Sequence, residues 1–490
     1  MLLSVILLPF VAGVIALLVR ATGVRRMLLV GAAAAHLLLV IGAWLRPVAP
    51  VAGGWLALDA PGKLFLTTTS VLFLAASLQA IGYLETERRA HGVEATRSGW
   101  AFHKIPEAVF TGCMLLFLAT MSLVTVCQHL GVLWVAVEAT TLASAPLIFF
   151  HRDGRSLEAT WKYLVVCSVG IALALMGNFF LAVAASGGAD APSTMMLQEL
   201  QSAGPRLHPA WIKAAWIFFL VGYGTKMGLA PMHTWLPDAH SEAPALVSAL
   251  LSGAVLNCAF LALLRVIPIT ESAGVGAFSR ELLLLLGLVS MGTAAVFVIG
   301  QADYKRMLAY SSVEHMGILS IGVGLGGSGV GGAMLHAVNH SLVKAMLFLV
   351  AGNILAAYAT KRSSLVRGLL GRQPASGVLW LAGLFAISGM PPFGTFASEW
   401  TILKTCVDQG RFVVTAVFLL LLAIVFIGMA SAILPMAQGK GEEAPAATTG
   451  RWTSSIPAAV LGALALALGL HIPSAVGHAI RDAASAFGGF

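Results

Sequence analysis

Two lysines, Lys226 and Lys344, stand inside long apolar stretches, as do the carboxylates Glu138 (WVAVEATTLA), Glu314 (SSVEHMGIL) and Glu399 (TFASEWTIL). In HAVNHSLVKAMLFLV, His336, His340 and Lys344 recur at i, i+4 and i+8. On a helix this spacing makes one stripe about 12 Å long. Imidazole accepts a proton on one nitrogen and donates from the other near neutral pH, so the stripe suits proton transfer. An opposite charge that approaches or leaves a lysine changes how tightly it holds its proton, and a Glu–Lys contact that opens and closes is therefore a switch. The plainer use of such groups is to lock helices together as ion pairs or end-of-helix charges. Each costs at least about 2.5 kcal/mol at membrane depth. Their spread over five apolar stretches favours the chemical use.

The elements that must carry these residues follow from composition. The chain has 490 residues, 58% of them hydrophobic and only 10% charged, with a mean hydropathy of +0.90. A soluble domain carries about 25% charged residues. Lipid must be part of the solvent here, which excludes a soluble enzyme, a nucleic-acid binder and a disordered chain. The net charge of +8 is read as loop Lys/Arg and not as a nucleic-acid footprint.

Fourteen stretches are long and apolar enough for spanning helices: 1–19, 27–45, 64–84, 107–127, 130–150, 163–186, 211–232, 245–265, 281–300, 307–326, 331–359, 377–401, 412–436 and 455–472. Backbone satisfaction in lipid makes them helices, so the predicted fold is an all-α polytopic membrane protein. Met1–Leu18 lacks a basic leader region and is expected to be a retained first span. Loops after odd-numbered spans hold twice the Lys and Arg of the others. They are expected on the cytoplasmic side of the inner (cytoplasmic) cell membrane, with both termini extracytoplasmic.

The seventh span, VGYGTKMGLAPMHTWLPDAH, surrounds Lys226 with Gly222, Gly224, Gly228 and Pro231. The twelfth, AISGMPPFGTFASEW, has Gly389, Pro391, Pro392 and Gly394 before Glu399. Both helices are expected to be broken there. Breaks five spans apart predict two five-helix repeats, and the odd number inverts the second relative to the first. The expected organisation is an N-terminal three-helix region over 1–106, repeats over 107–265 and 266–436, and a C-terminal loop and helix over 437–490.

Asp238, His240 and Glu242 follow the seventh span in TWLPDAHSEAPA, a segment without Lys or Arg. They read as a turn and helix cap, with proton uptake as the sharper alternative. The five cysteines fall in no metal or iron–sulfur spacing and read as small buried hydrophobes. No metal or other cofactor is expected: a histidine metal site is weakly signalled, since no carboxylate shares the His336 stripe.

The segments GTKMGLAPMHTWLPDAHSEAP and HAVNHSLVKAMLFLVAG, with Glu138, resemble the antiporter-like membrane subunits of respiratory complex I, the Mrp cation/proton antiporters and the group 4 membrane-bound nickel–iron hydrogenases. QADYKRMLAYSSVEHMGI and VSALLSGAVLNCAFLALLR look most like the hydrogenase 4 component F type. The resemblance implies fourteen helices with inverted repeats and broken helices seven and twelve. It implies that Glu138 and Lys226 are paired channel residues, that His336, His340 and Lys344 are a central relay, and that Glu399 is the exit. Where related subunits carry a lysine or histidine in the eighth helix, this chain has Asn257, so Ser248, Ser252 or water must carry that step. The implied function is a proton-translocating subunit with no redox chemistry of its own. Its partners would be other membrane subunits and a peripheral redox arm of hydrogenase, formate-hydrogenlyase or NADH dehydrogenase type. An Mrp-type Na+/H+ antiporter subunit and a non-pumping scaffold are the rivals.

Overall fold

In the computed structural model, residues 1–94, 106–186, 195–439 and 452–489 are described. Arg97, Lys104, Lys440 and Arg451, which contribute to the odd-loop excess, lie outside the described residues. The described residues form helices joined by short turns, with isolated bridges and no named strand. Every expected span is a helix or an interrupted helix. Among the described residues nine helices are long and apolar enough to cross a membrane on their own, and the bent pair Ile456–Leu470 and Ser474–Ser485 makes a tenth. The remaining expected spans are shorter, broken or more polar, so length and composition alone do not give fourteen. Leu2–Leu18 has 17 residues, and Tyr304–Leu325 carries Lys305, Arg306 and Glu314.

Helix pairs approach closely where glycine removes the side chain. A Cβ on Gly222 would lie 2.6 Å from the backbone of Gly170 and Ala174, which seats Pro209–Met227 directly on Gly154–Ala185. Gly287 and Gly317 do the same for Gly276–Val298 and Tyr304–Leu325.

Both expected breaks are present. Pro209–Met227 stops at Gly228, whose φ of 86° suits glycine, and the chain resumes as Trp235–Glu242. Freed backbone groups find partners: Leu229 N–H donates to the Gly224 carbonyl at 2.8 Å, Trp235 Nε1 to the Thr225 carbonyl at 2.8 Å, and Ala230 N–H to Ser290 Oγ at 2.9 Å. Pro374–Ile387 ends before Gly389 (φ 61°) and resumes as Gly394–Asp408, and Thr395 Oγ1 donates to the Ala386 carbonyl.

Three features depart from the expectation. Asp238, His240 and Glu242 belong to the helix Trp235–Glu242 and not to a loop, because Trp235, Leu236 and Ala239 give it an apolar face to bury. The eighth helix contains a π-helical turn at Leu251–Val255, a local widening of the kind often found at functional positions. Beyond the last span, Pro473 ends the apolar run, and Ser474–Ser485 turns by 83°, burying Ala479, Ile480, Ala483 and Ala484.

Loops following alternate spans gather at opposite ends of the bundle. At one end Asp238 pairs with Lys162 and Arg306, Glu242 pairs with Lys361, and the backbones of Asp303 and Arg362 form an isolated β-bridge. At the other, Arg265 joins Asp59 at 3.1 Å and donates to the carbonyls of Val124 and Thr125. All five cysteines are buried free thiols.

Candidate functional site

Lys226 ends its helix at the first break and is fully buried, at 0% exposure. Its ammonium donates to Thr141 Oγ1 at 2.9 Å and to the Tyr163 hydroxyl at 2.6 Å, and it sits 4.5 Å from the centre of the Tyr163 ring. Glu138 is not in direct contact with it. Thr141, one turn along Leu130–Ile148, donates to Glu138 Oε2 at 3.1 Å, and Ser168 donates to Glu138 Oε1 at 2.7 Å. The expected Glu–Lys pair is therefore joined through one hydroxyl.

Hydroxyl bookkeeping gives these bonds a direction, since each hydroxyl has a single proton to donate. Thr141 accepts from Lys226 and donates to Glu138. On the second branch Ser144 Oγ donates to the Thr140 carbonyl at 2.7 Å, so it accepts from Tyr163, 2.6 Å away. That branch ends on a carbonyl, which takes no proton. Only the Thr141 branch ends on a carboxylate.

The second group is built around the long helix Ser328–Tyr358, on which His336, His340 and Lys344 are all fully buried. Lys344 Nζ donates to the Leu308 carbonyl at 2.6 Å and to Ser311 Oγ. Glu314 is buried one turn beyond Ser311 on the same helix. His336 Nδ1 lies 2.9 Å from Ser398 Oγ and its Nε2 lies 2.9 Å from His315 Nδ1. Ser398 already donates to the Thr395 carbonyl at 2.8 Å. It must therefore accept from His336 Nδ1–H, which leaves His336 Nε2 to accept from His315 Nδ1–H. The bare lone pair of this chain falls on His315 Nε2, which has no hydrogen-bond partner. The His340 ring lies 5.1 Å from that of His315, and neither of its nitrogens is bonded.

Glu399 joins this group across the second break. It is 6% exposed, its Oε1 has no partner, and its carboxylate packs against Gly389. Its ligating atoms and those of His315 and His336 lie within 4.8 Å of one another. The carboxylate missing from the His336 stripe is thus supplied by another helix. Sequence spacing along a single helix has no access to that arrangement.

The remaining expected residues divide. Asp238 and Glu242 are held in ion pairs whose cations come from other elements, while His240, on the same short helix, is buried against Phe348 with both ring nitrogens unbonded. Asn257 Nδ2 donates to Ser341 Oγ at 2.7 Å, beside His340 in sequence. Ser252 shares a 2.9 Å bond with Ser312. Ser248 instead donates to the His240 carbonyl at 2.8 Å and is closed off as a carrier. Among the described residues no hydrogen bond links Lys226 directly to the histidine group. Sequence reasoning missed Thr141, Tyr163, Ser168, His315 and Ser398. Only two had a signal: Thr141 stands one turn from Glu138, and His315 is adjacent to Glu314.

Residues 127–426 match the family described as NADH:quinone oxidoreductase/Mrp antiporter, TM. Hydrogenase-4 component F homolog of Methylacidiphilum infernorum (isolate V4) is 36% identical over 358 residues, covering 71% of this chain and 73% of that protein. Hydrogenase-4 component B of Escherichia coli (strain K12) is 28% identical over 367 residues, and the match spans 51% of its length. Among solved structures, a chain of the membrane-bound sulfane sulfur reductase (MBS), an archaeal respiratory membrane complex, shares the fold with a TM-score of 0.85 at 20% identity, covering 99% of this chain and 97% of that one. A chain of respiratory complex I from Thermus thermophilus with bound NADH does so with a TM-score of 0.82 at 22% identity, each chain fully covered. Glu138 through Glu399 all fall within the matched span, and the chain belongs to the NADH:quinone oxidoreductase/Mrp antiporter family of transmembrane proteins.

Proposed function

We propose that this chain is a proton-translocating, antiporter-like subunit of a redox-driven membrane complex. The observation that carries the proposal is Lys226, fully buried yet linked through a single hydroxyl to the half-buried carboxylate of Glu138. An ammonium at membrane depth is costly, and a structural lock would pair it directly with the carboxylate. A hydroxyl between the two instead permits a proton to pass. In this reading His315, His336, His340 and Lys344 form the central relay and Glu399 its far end. The two broken helices lie in matching positions of two inverted repeats, over 107–265 and 266–436.

The similarity to a hydrogenase-4 component F homolog supports a hydrogenase-like or formate-hydrogenlyase-like peripheral arm as the partner. A redox reaction in that arm would bias the Glu138–Thr141–Lys226 contact. Gathering of the Lys/Arg-rich loops at one end of the bundle supports a cytoplasmic-membrane location with both termini extracytoplasmic. The test is Lys226→Ala in the assembled complex reconstituted in liposomes. Redox-driven proton uptake should be lost while the complex still assembles. Uptake equal to that of the unmodified complex refutes the proposal.

A further inference from the structure

We propose that His315, His336 and Glu399 form a binding site for a divalent transition-metal ion, Zn2+ being the ion whose chemistry fits them. Three observations carry this. The donors are two imidazoles and one carboxylate, all buried, with their ligating atoms within 4.8 Å of one another. Two nitrogens and one oxygen are a common zinc set, and a tetrahedral ion at the usual bond lengths holds neighbouring donors roughly 3.3 Å apart. Side-chain swings of about an ångström close the difference. The second observation is the support behind the ligands. Zinc-bound histidine characteristically donates its other ring N–H to an oxygen, which fixes the tautomer. Ser398 accepts from His336 Nδ1 at 2.9 Å and is itself fixed by its bond to the Thr395 carbonyl, so His336 Nε2 presents its lone pair to the cluster. The third is unmet capacity. Glu399 Oε1, on a side chain more than nine-tenths buried, has no hydrogen-bond partner, and neither does His315 Nε2. A buried acceptor left bare is costly, and a cation at this point removes that cost.

Donor type selects among cations. Sodium, magnesium and calcium favour oxygen donors, whereas this cluster offers two imidazole nitrogens and one carboxylate. His340, with neither ring nitrogen bonded and its ring 5.1 Å from that of His315, is the neighbour best placed to supply a fourth donor.

The site stands on its own geometry, and its consequence for transport rests on the proposed function. A metal ion on His336 Nε2 occupies the lone pair that accepts the proton of His315. Bound Zn2+ should therefore stop transfer through the relay.

The test uses the full-length, untagged chain in lipid nanodiscs, titrated with Zn2+ alone and desalted. X-ray absorption reads the ligands and elemental analysis the stoichiometry. One Zn2+ per chain is expected, with two imidazole nitrogens and a carboxylate oxygen, and a third imidazole nitrogen where His340 joins. Glu399→Gln and His315→Asn should weaken its binding by about a hundredfold or more. Ser398→Ala, which leaves all three ligands in place, should weaken it about 10- to 100-fold. His478→Asn, at an exposed position far along the chain, should not change it. Failure of the unmodified chain to retain zinc overturns the site, as does equal retention by Glu399→Gln and His315→Asn. In the assembled complex in liposomes the two proposals separate. Zinc bound as described, with redox-driven proton uptake unchanged, supports the site and counts against a relay through His336. Uptake abolished by Lys226→Ala, with no zinc retained by the unmodified chain, supports pumping and overturns the site.

Discussion

Replacing Thr141 by valine removes one oxygen and changes little else. Thr141 is fully buried, and valine keeps its branched shape, so packing around Leu130–Ile148 is preserved. Two bonds disappear: the one Thr141 accepts from Lys226 at 2.9 Å and the one it donates to Glu138 at 3.1 Å. Hydrogen bonds to charged groups contribute about 1.5–3 kcal/mol each. Lys226 keeps its bond to Tyr163 and Glu138 keeps its bond from Ser168, so both residues stay anchored. The link between them is lost. At about 1.4 kcal/mol per factor of ten, removing both bonds weakens proton exchange between the two by about two to four orders of magnitude. The assay follows redox turnover and internal pH together in liposomes holding the assembled complex, and reads protons moved per electron. Thr141→Val should fall towards the Lys226→Ala value at normal complex abundance, and Thr141→Ser should recover most of the loss. Normal proton-per-electron ratios in Thr141→Val would show that the hydroxyl is not the link. The directional argument built on it would then fail.

The other expectations concern neighbouring groups. Tyr163→Phe removes two bonds on the branch that ends at the Thr140 carbonyl, the one accepted from Lys226 and the one donated to Ser144; it should destabilise the protein by about 2–4 kcal/mol in thermal unfolding yet leave protons per electron unchanged. Ser398→Ala frees the His336 tautomer and should lower protons per electron without loss of complex, with Ser398→Thr restoring the ratio. Asp153→Ala breaks the capping box of Gly154–Ala185 and should lower stability by about 1 kcal/mol. Burial raises the Asp153 carboxyl, but hydrogen bonds from the Ser156 backbone and hydroxyl, with the nearby charges of His151 and Lys361, outweigh it and hold the group below its usual range. Its contribution is therefore present in full above the unfolded value near pH 4 and is lost as pH falls through the lower folded value. The stability gap between the unmodified protein and Asp153→Ala should close on acidification and stay constant across neutral pH.

Residues with a large energetic signature in lipid are legible in the amino-acid sequence alone. Lys226, Lys344, Glu138, Glu314 and Glu399 announce themselves because a charge at membrane depth needs a reason. Both helix breaks announce themselves because Pro and Gly interrupt runs that otherwise favour helix. Thr141, Tyr163, Ser168 and Ser398 carry no such signature. A hydroxyl inside a membrane helix is common, and it can satisfy itself on its own helix, as Ser144 does on the Thr140 carbonyl. Whether it reaches a neighbouring helix depends on tertiary packing. His315 is hidden for a related reason: its partners His336 and Glu399 come from two other helices, and no periodicity within its own helix points to either. The ion pairs of Asp238 and Glu242 are invisible for the same cause, since Lys162 and Arg306 enter from two other helices and Lys361 from a loop. Helix Ser474–Ser485 escapes because it lies across the apolar pattern and not along it.

The directions of the bonds also say where control must act. From Lys226 the only branch with a titratable end runs through Thr141 to Glu138. From His315 the chain runs through His336 to Ser398 and stops at the Thr395 carbonyl. Between the two groups stand Asn257 on Ser341 and Ser252 on Ser312, contacts without a carboxylate, lysine or imidazole. An amide donates without releasing its proton, so side-chain hydrogen bonds among the described residues leave the network closed between the two groups. Under the proposed function this closure is a requirement: a wire continuous at rest would let protons run back down their gradient and waste the redox work. Transfer then needs a rearrangement, and the structure offers two places for it: the π-turn at Leu251–Val255 that carries Ser252, and the break at Gly389 against which Glu399 packs. A shift at the first opens the step between the halves, and a shift at the second lets Glu399 take the proton that Ser398 cannot pass on.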